Sequence, residues 1–145
     1  MGVFRKIGTG SWLVIAATVA ASVLLVRLAG ADPAQAKTQD RRMALAEFEP
    51  LQARKSVLVI DVRDAMSFAN GHIPGAMHVA VRDVASQLAA VRRAARGRLI
   101  VTYCSCPTEA SSLRAAGELS DAGLIARALV GGFPKWVEAG GAVEK

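Results

Sequence analysis

Beyond about residue 43 the chain alternates short unbroken apolar runs with segments whose apolar positions recur every three or four residues. Val57–Asp61, VLVID, is a continuous β-branched run closed by an acid, the pattern of a parallel strand buried on both faces. A shorter strand, AMHVA, follows the Pro74-Gly75 turn around Met77. From Arg82 to Ala95 the spacing of Val84, Leu88 and Val91 predicts an amphipathic helix, with Gly97 placed to close it. Leu99–Cys104, LIVTYC, predicts the next buried strand. Ser111–Ala122 reads as a helix with Leu113, Ala116 and Leu119 inward and Gly123 at its C-cap. LIARALV adds a strand, and GGFPKW turns into a short last helix around Trp136. This alternation predicts an α/β fold, a central parallel sheet flanked by helices. Sites in such sheets gather at the carboxyl ends of strands, where Asp61 and Cys104 both lie, so the two are expected to share a crevice.

The N-terminal pattern is different. Ser11 to Val26 carries no charge, and its flanks extend the apolar stretch towards the roughly 20 residues that span a bilayer. Arg5 and Lys6 form a basic n-region, and AGA ending at Ala31 and AQA ending at Ala36 resemble cleavage sites. Arg27 lies close to the first of these and suits a helix end whose arginine snorkels to the interface. A retained single-pass anchor is therefore favoured over a cleaved signal. The expected organisation is an anchor or signal helix over 1–31, a polar linker over 32–42 and one domain over 43–145. Residues 7–31 would hold the chain in a bacterial inner membrane, with the domain on the periplasmic side.

Charge changes little. The chain carries 18 basic and 12 acidic residues; setting aside Arg5, Lys6 and Arg27 leaves 15 against 12, a balance of +3. Arg92, Arg93, Arg96 and Arg98 cluster at the end of a predicted helix, where cations complement the macrodipole, so no nucleic-acid partner is expected.

The two cysteines, Cys104 and Cys106, are too few and too close for a disulfide framework, which points to a chemical role. Cys104 leaves a strand and enters a polar loop before a helix, a setting that favours the thiolate. A metal set joining Cys-x-Cys to His72 or His78 lacks ligand spacing. Nothing in the sequence demands a metal or an organic cofactor.

Three stretches together, DVRDAMSFANGHIPGAMHV, VTYC opening a loop, and LVGGFPKWVEAGGAV, resemble the rhodanese, or sulfurtransferase, domain from about Ala44 to Val143. The resemblance implies the same α/β fold. It also implies that Cys104 attacks the outer sulfur of a donor such as thiosulfate, becomes a persulfide, and passes sulfur to an acceptor thiol. The loop of Ser105, Pro107, Thr108, Glu109, Ala110 and Ser111 would cradle that sulfur with backbone N–H groups. Asp61 and Arg63 match the Asp-Val-Arg that bears on the loop and its charge balance; Phe68, His72, Pro74 and Gly75 match positions that build the fold and the crevice wall.

The loop departs from the family pattern: CSCPTEASS has no cation between Cys104 and Arg114, and it contributes Glu109. Matching through the strand makes Cys104 the nucleophile and Cys106 an accessory thiol; matching through the helix would make it Cys106. The strand is the firmer anchor. Cysteine phosphatases and arsenate reductases need a loop arginine where Glu109 or Ser111 stands here. A membrane-tethered docking module, a redox sensor and a Cys-Ser-Cys thiol oxidoreductase are the other readings, and a protein partner fits the first of these.

Overall fold

The computed structural model describes residues 40–145. The expected anchor over 1–31 and most of the linker lie outside the described residues. Among the described residues no helix is long and apolar enough to cross a membrane.

Five parallel strands form one sheet: β1 (Arg42–Met43), β2 (Val57–Asp61), β3 (Met77–His78), β4 (Leu99–Tyr103) and β5 (Ala126–Leu129). Their order is β1-β5-β4-β2-β3, with β4 in the middle. The helices are α1 (Leu45–Ala53), α2 (Ala65–Asn70), α3 (Leu88–Ala95), α4 (Ala110–Asp121) and α5 (Gly132–Glu138).

The period-2 geometry of a strand divides VLVID between two cores. Leu58 and Ile60 join Ile100 and Ala128 beneath Val91 of α3 and Ala115, Ala116 and Leu119 of α4. Val57 and Val59 join Val101, Tyr103 and Leu129 on the other face, against Phe48 of α1 and Trp136 of α5. Both faces are covered, which is why these strands read as unbroken apolar runs. Each fully buried Ile, Leu or Phe contributes about 1.5–3 kcal/mol of transfer free energy.

Several boundaries differ from the sequence expectation, and helix α2 has no counterpart in it. The helix expected from Arg82 begins only at Leu88, after a 3-10 turn over Val81–Asp83. Ser86 Oγ and Gln87 N both donate to the Asp83 carbonyl there, holding the segment as turns while Val84 still reaches the core. Helix α1 has no counterpart in the pattern because Pro50 lies within it. Proline removes a single intrahelical donor, and burial of Phe48 offsets the loss. The sheet takes in Arg42, inside the expected linker, and Arg41 O accepts from Ala128 N.

The arginine cluster behaves as expected of helix-end cations. Arg98 donates to the carbonyls of Ala94 and Ala95 at the end of α3, and Arg92 reaches Ala122 O at the end of α4. The chain leaves α3 through left-handed Arg96 and Gly97.

Candidate active site

Strand β4 is buried on both faces and ends at Tyr103, so Cys104 is delivered to the carboxyl edge of the sheet at its centre, 3 % exposed. The loop 105–109 then rises to the start of α4. Ser105, Pro107 and Thr108 are exposed, Cys106 is half-buried and Glu109 is buried. The first hydrogen bond of α4 runs from Leu113 N to Glu109 O, so the N–H groups of Ala110, Ser111 and Ser112 precede the intrahelical ladder. They are the positive end of a helix of 12 residues. The predicted loop residues 105–111 thus run from the end of β4 into the first turn of α4.

Cys104 and Cys106 are joined as a disulfide, with their Cα atoms 5.7 Å apart. Cys106 N donates to Cys104 Sγ at 3.4 Å. Ser112, fully buried in the first turn of α4, sets its hydroxyl 3.6 Å from Cys104 Sγ while donating to Glu109 O. Thr102 Oγ1 fixes the same residue by donating to Ser112 O at 2.8 Å. Ser112 lies one residue beyond the expected loop. A serine eight residues past Cys104, one turn into a helix, carries no pattern that sets it apart.

Glu109 is the departure from the family pattern, and its carboxylate is fully engaged. Oε1 accepts from Gly131 N at 3.0 Å, and Oε2 pairs with Arg42 Nη2 at 3.3 Å. The residue has a left-handed backbone, φ 52°, at the N-cap of α4. Glu109 therefore straps the cysteine loop to strand β1 and to the β5–α5 turn, and its charge is offset by Arg42. Arg127 extends the strap, pairing with Glu47 and donating to Arg42 O.

The β5–α5 turn also forms the floor of the site. Phe133 N donates to Cys104 O at 2.9 Å. Gly132, at φ 51°, packs so closely that a Cβ would overlap that same carbonyl. The GGF signature exists here to let the chain pass under the cysteine.

Asp61 and Arg63 are spent on each other. Arg63 Nε and Nη2 grip the fully buried Asp61 carboxylate, and Nη2 also donates to Gly71 O at 2.7 Å. The guanidinium lies 4.1 Å from the centre of the Phe133 ring. Burial alone would lower the Arg63 pKa, but the hydrogen bond and charge of Asp61 outweigh it and raise it. Tyr103 Oη donates to Asp61 Oδ2 at 2.7 Å and accepts from Ile73 N at 3.1 Å. Burial, then the bond to Asp61, push its hydroxyl pKa well above the ordinary value. The pair bears on the loop through its scaffold, Tyr103 and Phe133. Arg114 pairs with Glu118 one turn along α4.

The histidines, expected at a crevice wall, are held against Phe68 and Arg63. His72 stacks on Phe68 with ring centres 3.8 Å apart and bonds Phe68 O through Nδ1; His78 Nε2 meets Arg63 O at 2.9 Å. Glu144 pairs its backbone with His72 in an antiparallel bridge and accepts from Gly75 N. Among the described residues no cluster of three His, Cys, Asp or Glu side chains suits a metal ion.

Comparison with known proteins agrees with this architecture. A Bacillus halodurans protein of known structure superposes with a TM-score of 0.66 at 25% identity, over 74% of this chain and 79% of that one. The human single-domain sulfurtransferase superposes with a TM-score of 0.58 at 25% identity, over 68% of this chain and 96% of that one. The thiosulfate sulfurtransferase of Pseudomonas aeruginosa gives a TM-score of 0.64 at 23% identity, over 76% of this chain and 21% of that one, a likeness of fold. The family model for the rhodanese-like domain matches residues 44–139. That span holds every helix from α1 to α5 and the cysteine loop between β4 and α4, and the chain belongs to the rhodanese-like family.

Proposed function

We propose that the protein carries sulfane sulfur as a persulfide on Cys104. The observation behind this reading is the placement of Cys104 at the end of the central strand, its Sγ accepting from Cys106 N and lying 3.6 Å from Ser112 Oγ in the first turn of α4, whose opening N–H groups have no intrahelical partner. Those dipoles stabilise a thiolate and then the anionic outer sulfur of a persulfide. With the cysteines reduced, Cys104 Sγ attacks the outer sulfur of a donor, the donor's remaining group leaves with the bonding pair, and the sulfur passes to an acceptor thiol. Ser112 Oγ stands within reach of the nucleophile and orients it.

Donor choice follows from charge. Between Cys104 and Arg114 there is no cation, and Arg42, Arg63 and Arg114 are each paired elsewhere. A dianion such as thiosulfate meets backbone dipoles alone, so hydropersulfides and polysulfides are the better donors. The missing cation likewise disfavours phosphate or arsenate chemistry. The uncharged stretch from Ser11 to Val26 supports a membrane tether, and the periplasmic side proposed with it is tested by fractionation and protease protection of tagged cells.

The test is the intact mass of the reduced protein before and after a panel of donors. A gain of one sulfur that Cys104→Ser abolishes and Cys106→Ser retains supports the assignment. No gain from any donor refutes it. The disulfide favours a second reading, a thiol redox module in which the pair itself is the working group. In that case the pair exchanges with dithiols and takes no sulfur.

A further inference from the structure

Sulfur carriage on Cys104 leaves one reactive group without a task. Cys106 lies two residues further on, half-buried where Cys104 is 3 % exposed, and its sulfur reaches Cys104 Sγ to make the disulfide. Its N–H also points at that atom. A persulfide on Cys104 has two sulfurs, and the inner one is the atom that Cys106 meets.

We propose that Cys106 discharges the Cys104 persulfide by attacking its inner sulfur and releasing the outer sulfur as hydrosulfide, so that the chain reduces sulfane sulfur and need not hand it on. This rests on the loading of Cys104 proposed above. The Cys106 thiolate forms the bond to Cys104 Sγ. The bond between Cys104 Sγ and the outer sulfur breaks, and the electron pair departs with the outer sulfur, which takes up the proton given up by the Cys106 thiol and leaves as hydrosulfide. The sulfane sulfur is reduced to sulfide while two cysteines are oxidised to the disulfide. A dithiol reductant then restores both thiols by exchange and closes the cycle.

The surroundings favour that direction. The N-terminal end of α4, whose first turn brings Ser112 Oγ to 3.6 Å from Cys104 Sγ, favours negative charge on the departing sulfur, and low-pKa sulfur leaves fast. A thiol on the same loop attacks without the entropic cost that a free acceptor meets. No side-chain cation in the loop holds the hydrosulfide back.

The experiment is a single turnover. Reduced protein, freed of reductant, is mixed with a hydropersulfide, polysulfide or thiosulfate; released sulfide and the thiol-blocked intact mass are measured for the wild type, Cys106→Ser and Cys104→Ser. The wild type is expected to release one sulfide per chain and end as the disulfide with no added sulfur. Cys106→Ser is expected to keep the added sulfur, its sulfide release falling to the background set by Cys104→Ser. An extra sulfur retained on wild-type Cys104, or found on Cys106, overturns the resolving role while sulfur carriage stands. If Cys106→Ser gains no sulfur and the wild type releases no sulfide, carriage fails and the resolving role fails with it.

Discussion

Gly132 lies against the backbone of Cys104, and a methyl group on its α-carbon would occupy the space of the Cys104 carbonyl oxygen. Cys104 is therefore positioned from below by a residue 28 positions later in the sequence. Gly132→Ala is expected to displace the Cys104 loop and to slow persulfide formation at least about tenfold, a 1.4 kcal/mol effect or more. Gly140→Ala is the control: it shares a positive φ but faces open space. It should cost only about 1 kcal/mol of stability, read by denaturant unfolding, with sulfur loading unchanged.

Glu109 separates charge from hydrogen bonding. Glu109→Gln can keep the bond from Gly131 N while losing the pairing with Arg42, and Glu109→Ala loses both. The alanine variant should lose about 1–3 kcal/mol of stability, because Gly131 N is left without its acceptor. It should also slow sulfur loading, with the glutamine variant closer to wild type in both. Equal loss in the two variants would show that charge, and not the strap, is what matters.

Tyr103 is the single tyrosine of the chain, which makes its ionisation directly visible. Its folded pKa is raised above the unfolded value, so its contribution is fully present below about pH 10 and fades as pH rises beyond that point. Tyrosinate absorbance should therefore stay absent in the folded protein at pH values where a free tyrosine has ionised, and should appear together with unfolding. Early titration in the folded state would contradict the burial described.

Tyr103→Phe removes the donor to Asp61 and the acceptor for Ile73 N at once. About 1–3 kcal/mol of stability should be lost by urea unfolding. Asp61→Ala strands the buried Arg63 guanidinium and should cost more, about 3–5 kcal/mol.

Donor preference can be ranked by loading rate at matched concentrations. Hydropersulfide is expected to load Cys104 faster than thiosulfate. Introducing Thr108→Arg, which places a cation on the exposed part of the loop, should narrow the gap by speeding thiosulfate.

Much of the fold was legible because buried parallel strands announce themselves. VLVID and LIVTYC are apolar on both faces, and the sheet places Asp61 and Cys104 at the same edge, with Asp61 opposite Tyr103 in register. The failures have particular causes. Pro50 hid α1, whose formation rests on burial of Phe48 and not on local preference. A two-residue edge strand such as Arg42–Met43 has no periodicity to read. Val84 keeps the helical spacing to Leu88 and Val91, yet the segment before Leu88 is held as turns by Ser86 Oγ and Gln87 N on the Asp83 carbonyl. At the site, Cys104 and the loop were readable, but Ser112, Arg42 and Gly131 were not, since each acts through a partner far away or through its backbone. The engagement of Arg63 by Asp61, and of Glu109 by Arg42, is tertiary information too.

The sheet order has a consequence for how the molecule is made. Strand β1 is synthesised early but has β5 as its neighbour, and β5 lies more than 80 residues later. Until Ala126–Leu129 emerges from the ribosome, Arg42 has no strand to join and the cysteine loop has neither Gly131 above Glu109 nor Gly132 under Cys104. The site is thus among the last parts to assemble. During translation both thiols meet the surrounding redox buffer before the scaffold that tunes them is in place, so the oxidation state in which the nascent chain arrives is set by its compartment, and only afterwards by its own geometry.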